Sequence, residues 1–268
     1  MSDTLQTWPF SVALVDEQLG AGLMSAVLGF NQILTPQELQ AWNLHLKMTF
    51  GLLAMAGGCG GSVVSPMETS ATLLDQPEVI SEPNGSPWYA WNFHSVKIDP
   101  NALRILANLV EHANFNLVDS KGDLVPEVQD LLIDSPQFSR LNWNKLGLPD
   151  AWPAMPFEIN DYNPASEDFD IEIEFSQEVS DAVHDKLELM IQPWLRTLER
   201  GGFHFAHPRK PLVWGLDTSQ QPLRRTPLSM FVQIRGLYAD YRAVFSLFNI
   251  LARAHQWVHP IAAVHVGE

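Results

Sequence analysis

Hydrophobic and polar residues alternate most sharply between Asp170 and Phe175. Ile171, Ile173 and Phe175 fall on one side of an extended chain, and Asp170, Glu172 and Glu174 on the other, because successive side chains of a strand point to opposite faces. Val179, Val183, Leu187 and Ile191 then recur at helical spacing. The strand is therefore expected to feed a helix, with Ser176 as its cap. Pro193 is expected to kink or interrupt that helix, because proline lacks a backbone donor and clashes with the preceding turn. Gly201-Gly202 should end it.

The same rhythm recurs along the chain. Residues 10–15 suit a first strand. Residues 17–30 are ambiguous: Leu19, Leu23, Val27 and Leu28 have a helical rhythm, while Gly20, Gly22 and Gly29 weaken a helix. Thr35-Pro36-Gln37-Glu38 has the form of a capping box, opening a helix over 35–56 with Leu39, Trp42, Leu46, Phe50 and Leu53 as its apolar stripe. Gly57-Gly58 should stop it, and 57–87 reads as a connection long enough to be functional or to hide a short element. Tyr89, Trp91 and Phe93 alternate in a strand starting at Trp88, Asp99-Pro100 starts a helix, and Phe115–Val118 suits a short strand. Glu127–Ile133 reads as a short helix, followed by a proline-interrupted connection. Further on, Leu228–Arg235 alternates as a strand, Tyr238–Ala254 carries a helical stripe, and Ile261–Val266 reads as a last strand.

These elements predict an α+β protein of repeated strand–helix–strand units, resembling a ferredoxin-like sheet with helices packed mainly on one face. The expected division is an N-terminal α+β region over 1–150, holding helix 35–56 and the strand–helix–strand of 88–118, and a C-terminal βαβαβ region over 151–268. One continuous domain is the alternative. No sequence repeat is strong enough to indicate duplication.

Composition narrows the class of function. The 268 residues are 46% hydrophobic and carry a net charge of −15. Such a chain can build a core, and its charge argues against nucleic acid and anionic membranes as partners. No apolar run reaches membrane-spanning length. The N-terminal residues lack a signal-peptide pattern, and the single cysteine, Cys59, fits a reducing, cytoplasmic setting.

Charge is unevenly distributed. Between Glu158 and Glu188 there are eleven acidic residues and one basic residue, Lys186; between Arg196 and Arg253 there are nine basic and three acidic residues. Two readings follow. The segments could pair internally, for instance Glu172 or Glu174 with Arg235. Alternatively Asp170, Glu172 and Glu174 form an acidic binding surface for a basic protein partner, in the manner of an immunity or antitoxin-like inhibitor. Nine tryptophans add the option of a homo-oligomer built on aromatic faces.

The rival reading is a small-molecule enzyme. Its candidate catalytic residues are His204, His207, Arg209 and Asp217, where two histidines three apart sit beside cations that could hold an anion. A zinc site there would be short of ligands, so no metal is expected. His255 and His259 have the spacing of a helical metal pair but read as capping a helix end, where imidazolium suits the dipole. Cys59 lies among glycines without a cysteine-protease signature. No phosphate-cradling or dinucleotide-binding motif is present, and no cofactor is expected.

Overall fold

The computed structural model describes residues 11–15, 23–56, 72–81, 87–94, 100–134, 155–161, 169–203, 223–234 and 241–267. The first half contains β1 (Ser11–Val15), β2 (Leu23–Phe30), α1 (Pro36–Ala56), β3 (Thr72–Ser81), β4 (Pro87–His94), α2 (Pro100–Asn116) and β5 (Val128–Asp134). The second contains β6 (Glu158–Asp161), β7 (Phe169–Phe175), α3 (Asp181–Glu199), β8 (Leu223–Arg225), β9 (Ser229–Ile234), α4 (Tyr241–Trp257) and β10 (Ile261–Gly267).

The protein is therefore mixed α+β, with four helices and two five-stranded sheets among the described residues. The first sheet has the order β1-β5-β2-β4-β3, and the second β6-β10-β7-β9-β8. In each, the first and fifth strands of the half pair in parallel, and every other neighbouring pair is antiparallel. Strand order and direction thus correspond position for position between the two halves.

The halves meet through helices. α1 packs against α2 of its own half and against α3 and α4 of the other, and α3 packs against α4. One continuous apolar cluster includes Ala26, Leu28 and Phe30 from β2, Trp42 and Leu46 from α1, Ile171, Ile173 and Phe175 from β7, and Trp194 from α3. Burying each of the leucine, isoleucine and phenylalanine side chains contributes roughly 1.5–3 kcal/mol before conformational entropy is set against it.

Local chemistry explains where several elements begin and end. The capping box forms: Thr35 N–H donates to Glu38 Oε2 (2.6 Å), and Glu38 N–H donates to Thr35 Oγ1 (3.3 Å). α3 ends on Gly201, whose φ of 68° is a left-handed conformation that glycine adopts without penalty. There Gly202 N–H donates to Thr197 O and Gly201 N–H to Leu198 O, which satisfies carbonyls that a helix end leaves open.

Several elements differ from the sequence expectations. Residues 23–30 are a strand, because β2 lies between β5 and β4 and buries Ala26, Leu28 and Phe30 on one side. Residues 128–134, expected as part of a helix, form β5, hydrogen-bonded on both sides by β1 and β2. The connection over 57–87 contains the ten-residue β3. Phe115 lies in the last turn of α2 rather than starting a strand, and Val118 makes one isolated bridge with Leu124. The cap of α3 is Ser180 in extended backbone, not Ser176. Pro193 lies inside α3 without interrupting it. The second half also holds β6 and β8, which sequence pattern missed because they are only four and three residues long.

Candidate functional site

The alternation of β7 places Ile171, Ile173 and Phe175 in the core and turns Asp170, Glu172 and Glu174 to the outer face of the second sheet. Asp170 and Glu172 are half-buried there, and Glu174 is exposed. Glu172 stands in register between Phe231 of β9 and His265 of β10, and Glu174 between Ser229 and Ala263. On β6, Asn160 stands beside His265, and Glu158 is exposed beside Ala263. The face thus combines carboxylates, one half-buried aromatic ring and one imidazole.

His265 Nε2 lies 3.5 Å from Glu174 Oε2, with the two side chains 27% and 48% exposed. That separation is too long for a strong hydrogen bond, and it becomes an ion pair when the ring is protonated. Internal pairing with Arg235 is one of the two alternatives expected from sequence. Position 235 lies outside the described residues, and the cross-strand partners of Glu172 and Glu174 on β9 are Phe231 and Ser229. Internal pairing does occur further along: Arg225 of β8 bridges to Asp185 (2.8 Å) and to Glu188, both on α3. Part of the charge asymmetry is therefore satisfied within the fold.

The corresponding side of the first sheet is different. Ser25, Trp88 and Ala90, on the side of the strands away from Leu28 and Phe30, are buried. Ser25 Oγ donates to Asn92 Oδ1 at 2.6 Å. Gly29 lets the Trp88 indole lie against the backbone, since a Cβ at position 29 would come within 3.1 Å of the ring.

A second cluster sits where the halves meet. His45 of α1 donates from Nε2 to Leu109 O of α2 (2.9 Å), which leaves Nδ1 to accept from the Arg200 guanidinium (3.2 Å). His112 of α2 and Arg200 line the same small cleft of about 70 Å³. Burial, then the neighbouring Arg200 charge, pushes His45 down to about 3 and His112 down to about 4. The guanidinium is itself held below its ordinary value, mainly by burial. Nearby, Asn108 Nδ2 donates to Gly202 O (2.9 Å) and adds a second polar tie between halves. Sequence pattern could not assemble this cluster, because positions 45 and 200 lie far apart in the chain.

The remaining candidates resolve less fully. His204, His207, Arg209 and Asp217, and also Cys59, lie outside the described residues. His255 lies in the last turn of α4, where its Nδ1 is 3.0 Å from Ile261 N and 3.1 Å from Ile261 O, so the ring joins α4 to the start of β10. Among the described residues, no group of three histidine, cysteine or acidic side chains could hold a metal ion, and no helix is long and apolar enough to cross a membrane.

No protein-family model matches the chain, and none of the curated proteins compared with it does. Among solved structures, it is similar to a predicted insulinase family protease from Yersinia pestis, at 13% identity and a TM-score of 0.22. That match covers 92% of this chain and 69% of the other. A conserved protein from Enterococcus faecalis V583 matches at 8% identity and a TM-score of 0.19, covering 91% and 76%.

Proposed function

We propose that this protein binds a basic protein partner through the outer face of the second sheet. The observation that supports this reading is the placement of Glu158, Asp170, Glu172 and Glu174 on one side of β6 and β7, with Phe231 in register beside Glu172. Four carboxylates steer a cationic surface toward the sheet, and the aromatic ring offers apolar contact at its centre. An inhibitor that occludes a basic active site, acting in the cytoplasm, is the concrete form of this proposal. We further propose that each half is a ferredoxin-like unit extended by one parallel edge strand, since β2 through β5 and β7 through β10 run strand–helix–strand–strand–helix–strand.

The test is co-purification from native extract with the wild-type chain and an Asp170→Asn, Glu172→Gln, Glu174→Gln variant. The side chains are partly exposed, so the variant is expected to fold. Wild type should retain a basic protein, and retention should weaken as salt is raised through the range in which surface charges are screened. The variant should retain at least about tenfold less, the scale of losing one to two kcal/mol of charge complementarity. Equal capture by both proteins, or capture indifferent to salt, would overturn the proposal.

A further inference from the structure

The His45–His112–Arg200 cluster is not needed for docking at the sheet face, and it stands at the contact between the two halves. Three helices supply it: α1 gives His45, α2 gives His112, and the C-terminal cap of α3 gives Arg200. Among the described residues that line the cleft, which include Asn116 and Leu117, none is a carboxylate. Arg200 donates to His45 only while the Nδ1 of that ring is unprotonated, because guanidinium has no acceptor and a protonated imidazole has none either.

We propose that this cluster is an acid-sensitive latch: protons taken up by His45 and His112 beside Arg200 break the Arg200–His45 hydrogen bond and loosen the helices of one half from those of the other. The charges around it are of both signs, and the one acting on both rings is the Arg200 cation. Arg200 and His112 act on His45, and Arg200 acts on His112. Glu199 and Arg196 of α3 act on Arg200 with opposite signs. Glu111 precedes His112 on α2, about 100° around the helix from it. Protonated rings would therefore add positive charge beside a permanent cation.

Both rings are held below the ordinary imidazole value, so the opened state binds protons more readily than the closed one. The closed state is fully favoured above about 6.5 and loses that advantage as pH falls toward about 4 for His112 and about 3 for His45.

Hydrogen–deuterium exchange on the full chain tests this, with rates corrected for the intrinsic effect of pH. Between about pH 7.5 and pH 4.5, amides of α1 around Leu46 and of α2 around Leu109 should lose about tenfold or more of their protection, while β7 and β9 keep theirs. In a His45→Gln, His112→Gln variant, which keeps amide donors and acceptors but cannot be protonated, this loss should move down by about one pH unit or more. Arg200→Gln keeps a donor for His45 without the fixed charge and should shift the loss in the same direction, which covers the case in which the double variant does not fold. The latch is overturned if helices and sheets lose protection together, or if the pH of the loss is unchanged in whichever variants fold.

Discussion

Asn114 and Arg225 both join elements through two polar contacts, yet their environments give them opposite weights. Asn114 is buried near the end of α2; its Oδ1 accepts from Val128 N–H (2.8 Å) and its Nδ2 donates to Val128 O (3.2 Å). Asn114→Ala strands a buried donor and acceptor at the first residue of β5, and should lower stability by about 1–3 kcal/mol in urea denaturation. Arg225 binds Asp185 and Glu188 at the surface, where water and salt screen the charges. Arg225→Ala should cost at most about 1 kcal/mol, with less effect at high salt. Neither weight was legible in sequence: Asn114 has no local partner, and Arg225 reads only as one cation in a basic segment. The Thr35–Glu38 box was legible, because both groups lie within one helical turn and their geometry is set by the chain itself.

At the scale of elements, the end of α3 shows how a local glycine signal acquires a long-range role. Gly201-Gly202 announces a helix stop, and the φ of 68° at Gly201 accounts for the first glycine. The second is required by packing: a Cβ on Gly202 would lie 2.5 Å from Thr197 Cγ2 and 3.3 Å from Leu109 Cδ2 across the contact between halves. Gly201→Ala should therefore cost about 1–2 kcal/mol, the penalty of a left-handed residue with a Cβ. Gly202→Ala should cost more, because a clash with a γ-carbon close to the backbone cannot be relieved by a flexible tip, and it should perturb the Asn108–Gly202 bond as well. Thermal melts of the two variants check the order. Strand β5 shows the opposite difficulty. Val128, Leu131 and Leu132 suit either a helix face or a strand buried between neighbours, and only its partners, β1 and β2, decide.

At the scale of the whole molecule, the shared strand order explains a spacing that residue identity conceals. Ala26, Leu28, Phe30, Thr35, Trp42 and Leu46 each lie 145 residues before Ile171, Ile173, Phe175, Ser180, Leu187 and Ile191. Apolar character and the capping position persist while most identities change, so a search for matching residues fails where a comparison of periodicities succeeds. The second helix of each half extends the correspondence. Asn114 is the fifteenth residue of α2 and His255 the fifteenth of α4, and each hydrogen-bonds the first residue of the half's last strand.

Asn108 and Asn249 are the ninth residues of the same two helices, and here the halves diverge. Both are buried. Asn108 donates to Gly202 O, whereas neither polar atom of Asn249 has a hydrogen-bond partner among the described residues. An unmet buried amide carries its desolvation cost with no return, and an apolar side chain of similar size removes that cost. Asn249→Leu should thus be neutral or raise stability by about 1 kcal/mol, while Asn108→Leu should lower it by about 1–3 kcal/mol by stranding the Gly202 carbonyl. Urea midpoints of the two variants, measured at equal slope, decide the matter. If both substitutions destabilise alike, Asn249 has a partner that balances it and the functional asymmetry between the two helices disappears; if they act in opposite directions, the polar tie between the halves runs through α2 and the end of α3, at the place where His45, His112 and Arg200 converge.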